Sequence, residues 1–354
     1  MNKIEIAGRE ISPQCKPYII AEISANHNGS LDKALELVDL AAEAGADAVK
    51  IQTYTADTMT IESDLPDFRI DGGLWDGYTL YDLYKEAHTP WDWHKAIFER
   101  ARLRGVHCFS SPFDETAVDF LDDLGVPAFK IASFEMTDLP LVEKIASKMK
   151  PIIVSSGTAN LEEIEETLNT IKKYHHQIVL LHCVSAYPAP LEDQNLKTLE
   201  ALSTKFNVLV GLSDHTLSNS AATASVALGA VVVEKHFIKS RREKGPDSEF
   251  SLEPSELKML VDTTREVWQS LGAVDFSLKP SEAANKRFRR SIYFVKDMAA
   301  GQMITEDSIK RIRPGYGLAP KYFKEILGKT VQVDVKRGQP TNWDVIADSE
   351  CVLK

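Results

Sequence analysis

The chain has 354 residues, of which 44% are hydrophobic and 26% are charged, and its formal net charge at pH 7 is −11. This composition excludes an intrinsically disordered chain, and the length suits one large domain with a small one, or two medium domains. The acidic balance argues against a nucleic-acid partner, because phosphate binding needs clustered lysines and arginines.

The charge is distributed unevenly along the chain. Residues 290–354 include 11 basic and 8 acidic side chains, a net charge of +3. The whole chain holds 41 basic and 52 acidic side chains, so residues 1–289 keep 30 and 44, a net charge of −14. A mildly basic tail on an acidic body indicates two modules.

The cysteines and the amino terminus indicate the compartment. Cys15, Cys108, Cys183 and Cys351 form no CxxC pair and are too few for a disulfide framework. The amino terminus has no apolar signal core, and the longest weakly polar run covers about 13 residues where a membrane span needs ~20. We therefore expect a cytoplasmic protein with no membrane partner.

Eight short apolar runs alternate with helical patterns through the first part of the chain. They lack strict alternation between apolar and polar residues, as is typical of parallel strands covered on both faces. Eight strand–helix units predict a (β/α)8 barrel, with a doubly wound open sheet as the alternative. The runs are residues 18–24, 46–54, 105–111, 127–133, 151–157, 177–183, 207–213 and 230–237.

Helix signals lie between these runs. Asn28 or Ser30 can cap a helix that Gly45 ends, and residues 161–174 place acidic side chains early and lysines late, which suits the helix dipole. One connection, residues 53–89, is unusually long and contains the aromatic stretch GGLWDGYTLYDLY. Long loops usually form functional walls or lids, and a packed decoration is the alternative.

The pattern changes after Gly272. Residues 276–290 have the composition of a polar linker, and residues 291–354 that of a compact α+β module with a strand and turn in GKTVQVDVKRG. This module is too small to hold a deep active site alone. We therefore expect a catalytic barrel over residues 1–275 and a small second module that docks on or covers something.

Polar residues follow all eight predicted strands, at the end of the barrel where such enzymes hold their catalytic groups. We expect these side chains to converge on one site. In chain order they are Glu22; Lys50 and Gln52; Ser110 and Ser111; Lys130, Ser133 and Glu135; Ser155 and Ser156; His182, Ser185 and Tyr187; Ser213, Asp214 and His215; and Glu234, Lys235 and His236.

Two lysines, Lys50 and Lys130, lie inside apolar strands, where a lysine needs an anionic partner. Together with the serines they indicate a site for a phosphate or carboxylate. Salt bridges with Glu22, Asp47 or Glu135 are the structural alternative, and a Schiff-base lysine is the chemical one.

His215 and His236 end neighbouring strands, so their imidazoles can converge on one divalent cation. Hydrogen-bonded structural or acid–base histidines are the alternative. His182 is expected to pack in the interior. Four histidines are expected at the surface: His88, His94, His175 and His176.

Six ordered motifs resemble the sialic acid synthase family, and the tail resembles the antifreeze-like (SAF) domain that follows the barrel in that family. The motifs are AEISANHNGSLDKALELVDLAAEAGADAVKIQT, FKIASFE, IVSSGTA, LHCVSAYPAP, GLSDHT and VVVEKHF. The resemblance covers nearly the whole chain. It implies a TIM-barrel enzyme that condenses phosphoenolpyruvate with an amino sugar.

Within this family, the stretches KIQTYTADTMT, FRIDGGLWDGYTLYDLYKEAHTPWDWH, CFSSPFD and KIASFE are most similar to the pseudaminic acid branch. That branch implies a 2,4-diacetamido-2,4,6-trideoxyhexose as the sugar, phosphate release by C–O cleavage and a nine-carbon 2-keto acid as the product. A 6-deoxy sugar needs an apolar neighbour near C6, which residues 68–84 can supply. The alternatives are the N-acetylneuraminate and legionaminate branches, a Schiff-base pyruvate aldolase and a carbohydrate-binding or cell-surface protein.

The resemblance also implies the roles of individual residues. His215 and His236 match metal ligands, with Mn²⁺ expected before Mg²⁺ or Co²⁺. Glu22, Glu135 and Glu234 match carboxylates near the substrates and the metal. Phosphoenolpyruvate contacts are implied for Lys50, Ser110, Lys130, Ser133, Ser155 and Ser213, and sugar contacts for Tyr187 and Asp247, with Gln52 as a further substrate-binding candidate.

Two positions bear on the sugar and on the assembly. Ser185 stands where the sialic acid branch has asparagine, so sugar contacts there differ. Arg313 matches the arginine that the SAF domain of one subunit places in the barrel of its partner. The resemblance therefore implies a domain-swapped homodimer.

Overall fold

The computed structural model describes residues 3–347, so Cys351 lies outside the described residues. The chain divides after Gly272 into two compact units. Within residues 3–347 there is no helix with both the length and the apolar character to cross a membrane.

An antiparallel hairpin opens the first unit, with β1 at Ile4–Ile6 and β2 at Arg9–Ile11. Its buried isoleucines pack in one cluster with Tyr18, Ile20 and other apolar side chains of the barrel strands. Because Tyr18 begins the first barrel strand, this cluster lies toward the amino ends of the strands and fills the interior there. The opposite, carboxyl end is left for polar groups.

Eight parallel strands close into a barrel, so the predicted (β/α)8 fold is confirmed and the open-sheet alternative is wrong. The final strand pairs with the first, with Val232 opposite Tyr18 and His236 opposite Glu22. The barrel strands are β3 (Tyr18–Glu22), β4 (Ala48–Thr53), β5 (His107–Pro112), β6 (Phe129–Ile131), β7 (Ile152–Ser155), β8 (Ile178–Cys183), β9 (Leu209–Ser213) and β10 (Val232–His236).

Helices cover the outside of the barrel, and two apolar clusters fill the space between helices and strands. All five residues of β3 are buried, which explains why its sequence lacks alternation. The helices of this unit are α1 (Leu31–Ala44), α2 (Ala56–Met59), α3 (Leu80–Ala87), α4 (His94–Arg104), α5 (Glu115–Asp123), α6 (Leu139–Ser147), α7 (Leu161–Lys172), α8 (Thr198–Phe206), α9 (Ser220–Ala227) and α10 (Pro254–Leu271).

Local capping sets the helix ends much as the sequence predicts. Ser30, rather than Asn28, caps α1 by accepting a hydrogen bond from the Lys33 backbone N–H, and Gly45 ends it in the left-handed region at φ 91°. Asn160 and Glu163 form a capping box at the start of α7.

The long connection after β4 is folded rather than extended. It contains α2, a 3-10 turn at Pro66–Phe68 and α3. Between the last two, residues 69–79 form a small hairpin in which the Ile70 N–H donates to the Tyr78 carbonyl at 2.9 Å. Trp75 lies at the turn of this hairpin.

Two of the four histidines expected at the surface are buried instead. His94 begins α4 and is fully buried, with Nε2 2.7 Å from Thr53 Oγ1 and its ring edge-on to Phe120. Burial lowers its pKa to about 4, so the ring is neutral. His175 is buried because the chain turns back into β8 there, and its Nδ1 accepts from the Gln177 N–H. His88 is half-buried and His176 is exposed.

The second unit is an α+β module with its own core. β11 (Ser291–Phe294) pairs antiparallel with β12 (Ile309–Ile312), and a short helix, α11, spans Phe323–Ile326. The predicted strand in GKTVQVDVKRG is wrong, because Val331 and Val335 make isolated bridges to different partners. Residues 276–290 contain a 3-10 helix, Pro280–Phe288, none of whose side chains is buried.

Candidate active site

The carboxyl end of the barrel gathers four buried charged side chains. Lys50, Lys130, Glu22 and Glu234 are each no more than 5% exposed. Strand register explains the grouping, because Glu22 lies opposite both Lys50 of β4 and His236 of β10. Side chains opposite each other in a parallel sheet share a face, so these groups all lie on the inner face of the barrel.

The Lys50 ammonium lies between two carboxylates. Its Nζ is 2.5 Å from Glu22 Oε2 and 3.8 Å from Glu234 Oε1, and it donates to Ser111 Oγ at 3.4 Å. The predicted salt bridge to Glu22 is therefore present. Asp47 instead pairs with Arg9 and Lys16.

Lys130 has a hydroxyl and a carboxylate as neighbours. Its Nζ donates to Ser155 Oγ at 2.7 Å and to the Ile131 carbonyl at 3.2 Å, and lies 3.6 Å from Glu234 Oε1. Ser213 Oγ donates to the same Glu234 oxygen at 3.2 Å. One carboxylate thus joins both lysines and one of the serines.

Burial and neighbouring charges give the two acids of this cluster, Glu22 and Glu234, different pKa values. Burial raises the pKa of Glu22 to about 7, against the attraction of Lys50, and the nearby Glu234 adds to the rise. Burial also opposes ionisation of Glu234, but Lys130 and Lys50 outweigh it and hold the pKa of that carboxyl below its ordinary value. Glu234 is therefore the ionised partner of the lysines, and Glu22 exchanges a proton near neutral pH.

Glu135 lies just beyond β6. Burial raises its pKa to about 7, with Lys130 acting in the opposite direction. Its Oε2 is buried and makes no hydrogen bond within the described residues. A buried carboxyl oxygen without a partner is costly, so Glu135 is poised to hold a proton or to receive a donor from a ligand.

The other two serines named as phosphoenolpyruvate contacts, Ser133 and Ser110, hydrogen-bond to groups other than the lysines. Ser133 Oγ accepts from the Gly157 N–H at 3.1 Å, and a Cβ on Gly157 would lie 2.0 Å from Ser185 Oγ, so a larger residue there would displace the Ser185 and Ser133 side chains. Ser110 Oγ is 2.6 Å from Thr53 Oγ1 and 3.0 Å from the Ile51 carbonyl. Ser111, rather than Ser110, reaches Lys50 in this structure.

His215 and His236 come together at the ends of β9 and β10, with ring centroids 5.5 Å apart. His215 Nδ1 lies 3.0 Å from the Val184 carbonyl, to which it donates, so Nε2 is the unprotonated nitrogen when the ring is neutral. His236 Nδ1 is buried and has no hydrogen-bond partner within residues 3–347. Burial, followed by the charge of His215, holds the pKa of His236 well below its ordinary value, so its ring is neutral.

This pair fits a divalent cation. The neutral imidazole is the form that binds metals, and the orphaned buried nitrogen of His236 calls for a partner. Burial lowers the pKa of His215, but Cys183 outweighs it and holds that pKa above its ordinary value, so His215 would lose its proton as a metal binds. No group of three or more acidic, histidine or cysteine side chains in the described part of the chain is arranged to hold a metal. The protein would therefore supply two ligands, and water or substrate oxygens would complete the shell.

The remaining sugar-side candidates border the histidines. The Tyr187 ring lies 4.4 Å from that of His215, and Asp247 Oδ2 is 3.9 Å from His236 Nδ1. Asp247 also accepts from the Ala25 N–H at 3.3 Å. Gln52 is linked to Lys50 through Glu22, because its side-chain amide donates to Glu22 Oε1 and also to Ser24 Oγ.

Sequence reasoning missed three side chains at this end of the barrel. Phe250 packs 4.8 Å from His236 and 5.1 Å from Tyr187, and the Trp75 ring lies 5.7 Å from Tyr187. Cys183 Sγ is 3.9 Å from His215 Nδ1. Trp75 and Phe250 lie on long connections whose course the pattern does not predict, although the aromatic composition of residues 68–84 was a signal for the first.

Three polar residues at the ends of predicted strands lie outside this cluster: Lys235, Asp214 and His182. Lys235 Nζ donates to Asp214 Oδ2 at 2.8 Å and to two backbone carbonyls, so it forms a buried ion pair on the other face of β10. His182 Nε2 is 2.6 Å from the Gln194 carbonyl, in keeping with the packing role expected for it. Arg313 is exposed on a loop of the second unit, and its role stays a prediction.

The arrangement suits an anionic substrate beside a polarised carbonyl. Two buried ammonium groups and two hydroxyls can bind a phosphate or carboxylate, and the adjacent imidazole pair can hold a Lewis acid. Carboxyls with a pKa of about 7 can transfer protons at neutral pH. These are the requirements of a condensation between an anionic enol and an aldehyde.

Comparison with known proteins agrees with this chemistry. The model of the NeuB family matches residues 37–275, and the model of the SAF domain matches residues 289–347. The chain is 47% identical over 324 residues to the pseudaminic acid synthase of Campylobacter jejuni, covering 91% of this chain and 94% of that protein. It is 37% identical over 336 residues to the N,N'-diacetyllegionaminic acid synthase of Legionella pneumophila, covering 93% and 94%.

A solved structure supports the same placement. The N-acetylneuraminic acid synthetase of Leptospira borgpetersenii, in complex with citrate, superimposes with a TM-score of 0.73 at 32% identity. The match covers 80% of this chain and 95% of that one. From its barrel, its SAF domain and these relatives, the chain belongs to the NeuB family of phosphoenolpyruvate-dependent nonulosonic acid synthases.

Proposed function

We propose that this chain is a pseudaminic acid synthase. It condenses phosphoenolpyruvate with 2,4-diacetamido-2,4,6-trideoxyaltrose to a nine-carbon 2-keto acid and releases phosphate. The observation that carries the proposal is the pair of buried lysines, Lys50 and Lys130, beside the imidazole pair. The identity to a pseudaminic acid synthase over nine-tenths of the chain supports the choice of sugar.

The lysines and serines bind the phosphoenolpyruvate. Lys50 and Lys130 hold its phosphate and carboxylate, with Ser155 and Ser213 donating hydrogen bonds from neighbouring strands. These fixed donors also stabilise the charge that develops during the reaction.

The histidines hold the metal site. A divalent ion on His215 and His236, Mn²⁺ by family resemblance, would supply Lewis-acid polarisation of the sugar aldehyde. His215 and His236 would thereby place C1 of the open-chain sugar toward C3 of phosphoenolpyruvate, the carbon that attacks it. Tyr187 and Asp247 border the sugar at this point.

The carboxyl groups of Glu135 and Glu22 accept the proton of the attacking water. Water adds at C2 of the phosphoenolpyruvate unit, and the tetrahedral intermediate loses phosphate by C–O cleavage. Glu135 and Glu22, with a pKa of about 7, are the groups that can accept that proton at neutral pH. Glu234, held ionised by the lysines, contributes charge instead.

One observation favours a second candidate, a Schiff-base aldolase. Burial lowers the pKa of Lys130, as nucleophilic lysines require. Its ammonium, however, donates to Ser155 and Ile131, which favours the charged form. Borohydride trapping of pyruvate on Lys130 would support the aldolase, and its absence supports the synthase.

We propose a domain-swapped homodimer in which Arg313 of one subunit serves the barrel of the other. The exposed position of Arg313 leaves its guanidinium available for a ligand. We also propose that the protein is cytoplasmic.

A phosphate-release assay tests the function. The purified chain with Mn²⁺ is given phosphoenolpyruvate and, separately, 2,4-diacetamido-2,4,6-trideoxyaltrose, its manno isomer and N-acetylmannosamine. We expect phosphate release that requires both substrates, with kcat/KM for the altro sugar at least about tenfold above the others. A preference for the manno isomer or for N-acetylmannosamine would assign the chain to the legionaminate or sialic acid reaction instead.

A further inference from the structure

We propose that Trp75 selects a methyl group over a hydroxymethyl group at C6 of the sugar, an inference that rests on the proposed function. Trp75 lies in the connection after β4, at the turn of the 69–79 hairpin. No motif of the catalytic cluster contains it. Its position follows from contacts that hold the hairpin at both ends.

The hairpin is held at its base and at its turn. At the base, Arg69 bridges to Thr79 and the Ile70 N–H donates to Tyr78. At the turn, the indole N–H of Trp75 donates to the Pro246 carbonyl at 2.9 Å. The segment that contains Pro246 continues into Asp247 and Phe250, which border the histidines. The indole is thereby held against the wall of the sugar site.

Distances place the indole within reach of the far end of the sugar. The Trp75 ring lies 5.7 Å from that of Tyr187, which lies 4.4 Å from that of His215, so Trp75 is within about 10 Å of His215. Five C–C bonds of ~1.5 Å carry an extended sugar about 6 Å from C1 to C6, and van der Waals contact adds about 4 Å. With C1 at the histidines, C6 therefore reaches the indole.

The indole offers C6 an apolar contact only. Its single hydrogen-bond donor is committed to Pro246, and tryptophan has no acceptor. A methyl group gains by burial against the ring, whereas a hydroxymethyl group loses hydrogen bonds to water without replacement. The ring therefore favours a methyl group over a hydroxymethyl group at C6 and should not affect the binding of phosphoenolpyruvate.

Removing the indole should reverse this preference. Trp75 lines a cavity of about 260 Å³ together with the charged side chains of Glu86, Lys244 and Glu249. In Trp75→Ala, C6 would face that cavity and its hydrogen-bonding groups. A hydroxymethyl group would then find partners, and a methyl group would lose its apolar contact.

The test uses two sugars that differ only at C6: 2,4-diacetamido-2,4,6-trideoxyaltrose and the same sugar with a 6-hydroxyl. Wild type should prefer the 6-deoxy sugar by at least about tenfold in kcat/KM. Trp75→Ala should reduce this ratio about tenfold or more and leave the KM for phosphoenolpyruvate within about threefold. Trp75→Phe, which keeps an aromatic face, should retain most of the ratio. Trp75→Gln, which replaces the apolar face with a hydrogen-bonding amide, should also lower the ratio and serves if the alanine variant does not fold.

Trp268→Ala is the matched control. Trp268, on α10, also donates its indole N–H to a proline carbonyl, that of Pro13, at 3.1 Å, and should show the wild-type ratio. If Trp75→Ala, or Trp75→Gln where alanine does not fold, loses activity equally with both sugars, the C6 assignment is wrong. If wild type prefers the 6-hydroxy sugar, it is also wrong. A wild type that turns over no sugar at all overturns the proposed function instead.

Discussion

The Lys130 ammonium donates to Ser155 Oγ at 2.7 Å and lies 3.6 Å from Glu234 Oε1, so one buried cation joins strands β6, β7 and β10. A phosphate or carboxylate from the substrate can bind at the same ammonium. The cluster is therefore built to exchange an internal anion for an external one.

Lys130→Met should remove much of the binding of phosphoenolpyruvate. A charge-assisted hydrogen bond contributes about 1.5–3 kcal/mol, and Lys130 is expected to make two with the substrate, so kcat/KM for phosphoenolpyruvate should fall by about 10²- to 10⁴-fold. Steady-state kinetics measure the fall. Ser155→Ala should cost about tenfold by the same reasoning.

Lys235→Met is the matched control for that variant. It removes another buried lysine, which pairs with Asp214 on the other face of β10. Removing one partner of a buried ion pair typically costs about 3–5 kcal/mol of stability. Urea unfolding should show this loss while kcat/KM stays near wild type. Equal kinetic losses in the two variants would contradict a specific role for Lys130.

His236→Asn should abolish tight metal binding. In the proposed site the imidazole would supply one of two protein ligands, so calorimetric titration of the chain with Mn²⁺ should show affinity reduced by about 10²-fold or more. The circular dichroism spectrum should not change. Chelator should also silence the wild-type enzyme, and Mn²⁺ should restore it. Full activity in excess chelator would overturn the metal assignment.

Glu135→Gln should change how stability depends on pH. Burial raises the pKa of Glu135 from 4.5 to about 7 in the folded state, so the folded protein binds the proton more tightly than the unfolded chain does. The free energy of unfolding of wild type therefore falls as pH rises from 4.5 to 7, by up to about 3 kcal/mol at about 1.4 kcal/mol per pKa unit. Glutamine does not titrate.

Urea unfolding at pH 5 and pH 8 measures this difference. The two proteins should be similar at pH 5, and Glu135→Gln should be the more stable at pH 8. A constant difference at both pH values would mean that Glu135 is ionised throughout.

Arg313→Ala and His236→Ala should complement each other in a mixed dimer. Each variant alone should be inactive or strongly impaired. After co-refolding, a dimer with one chain of each kind holds one barrel with its own intact His236 and the partner's intact arginine. Activity should recover to about a quarter of wild type, by statistical pairing of chains. No recovery, with dimers present, would contradict an arginine shared between subunits.

The barrel and its charged cluster were predictable because both follow from patterns that are local in the sequence, namely the apolar strands and the polar residues at their ends. Parallel strands end at one rim, so Glu22, Lys50, Lys130 and Glu234 had to meet once eight strands were recognised. An apolar contribution from residues 68–84 was predictable but its position was not, because the hairpin around Trp75 is held by a contact with Pro246, 171 residues away. His94 looked exposed for a related reason: its hydroxyl partner, Thr53, lies on a separate strand.

The most direct test of the proposed reaction follows the bridging oxygen of phosphoenolpyruvate. With oxygen-18 in that position, the purified chain, Mn²⁺ and 2,4-diacetamido-2,4,6-trideoxyaltrose, mass spectrometry reads both products. C–O cleavage predicts that the label leaves with phosphate and that the nine-carbon keto acid carries none. Label retained in the keto acid, or no keto acid formed from these substrates, would contradict it.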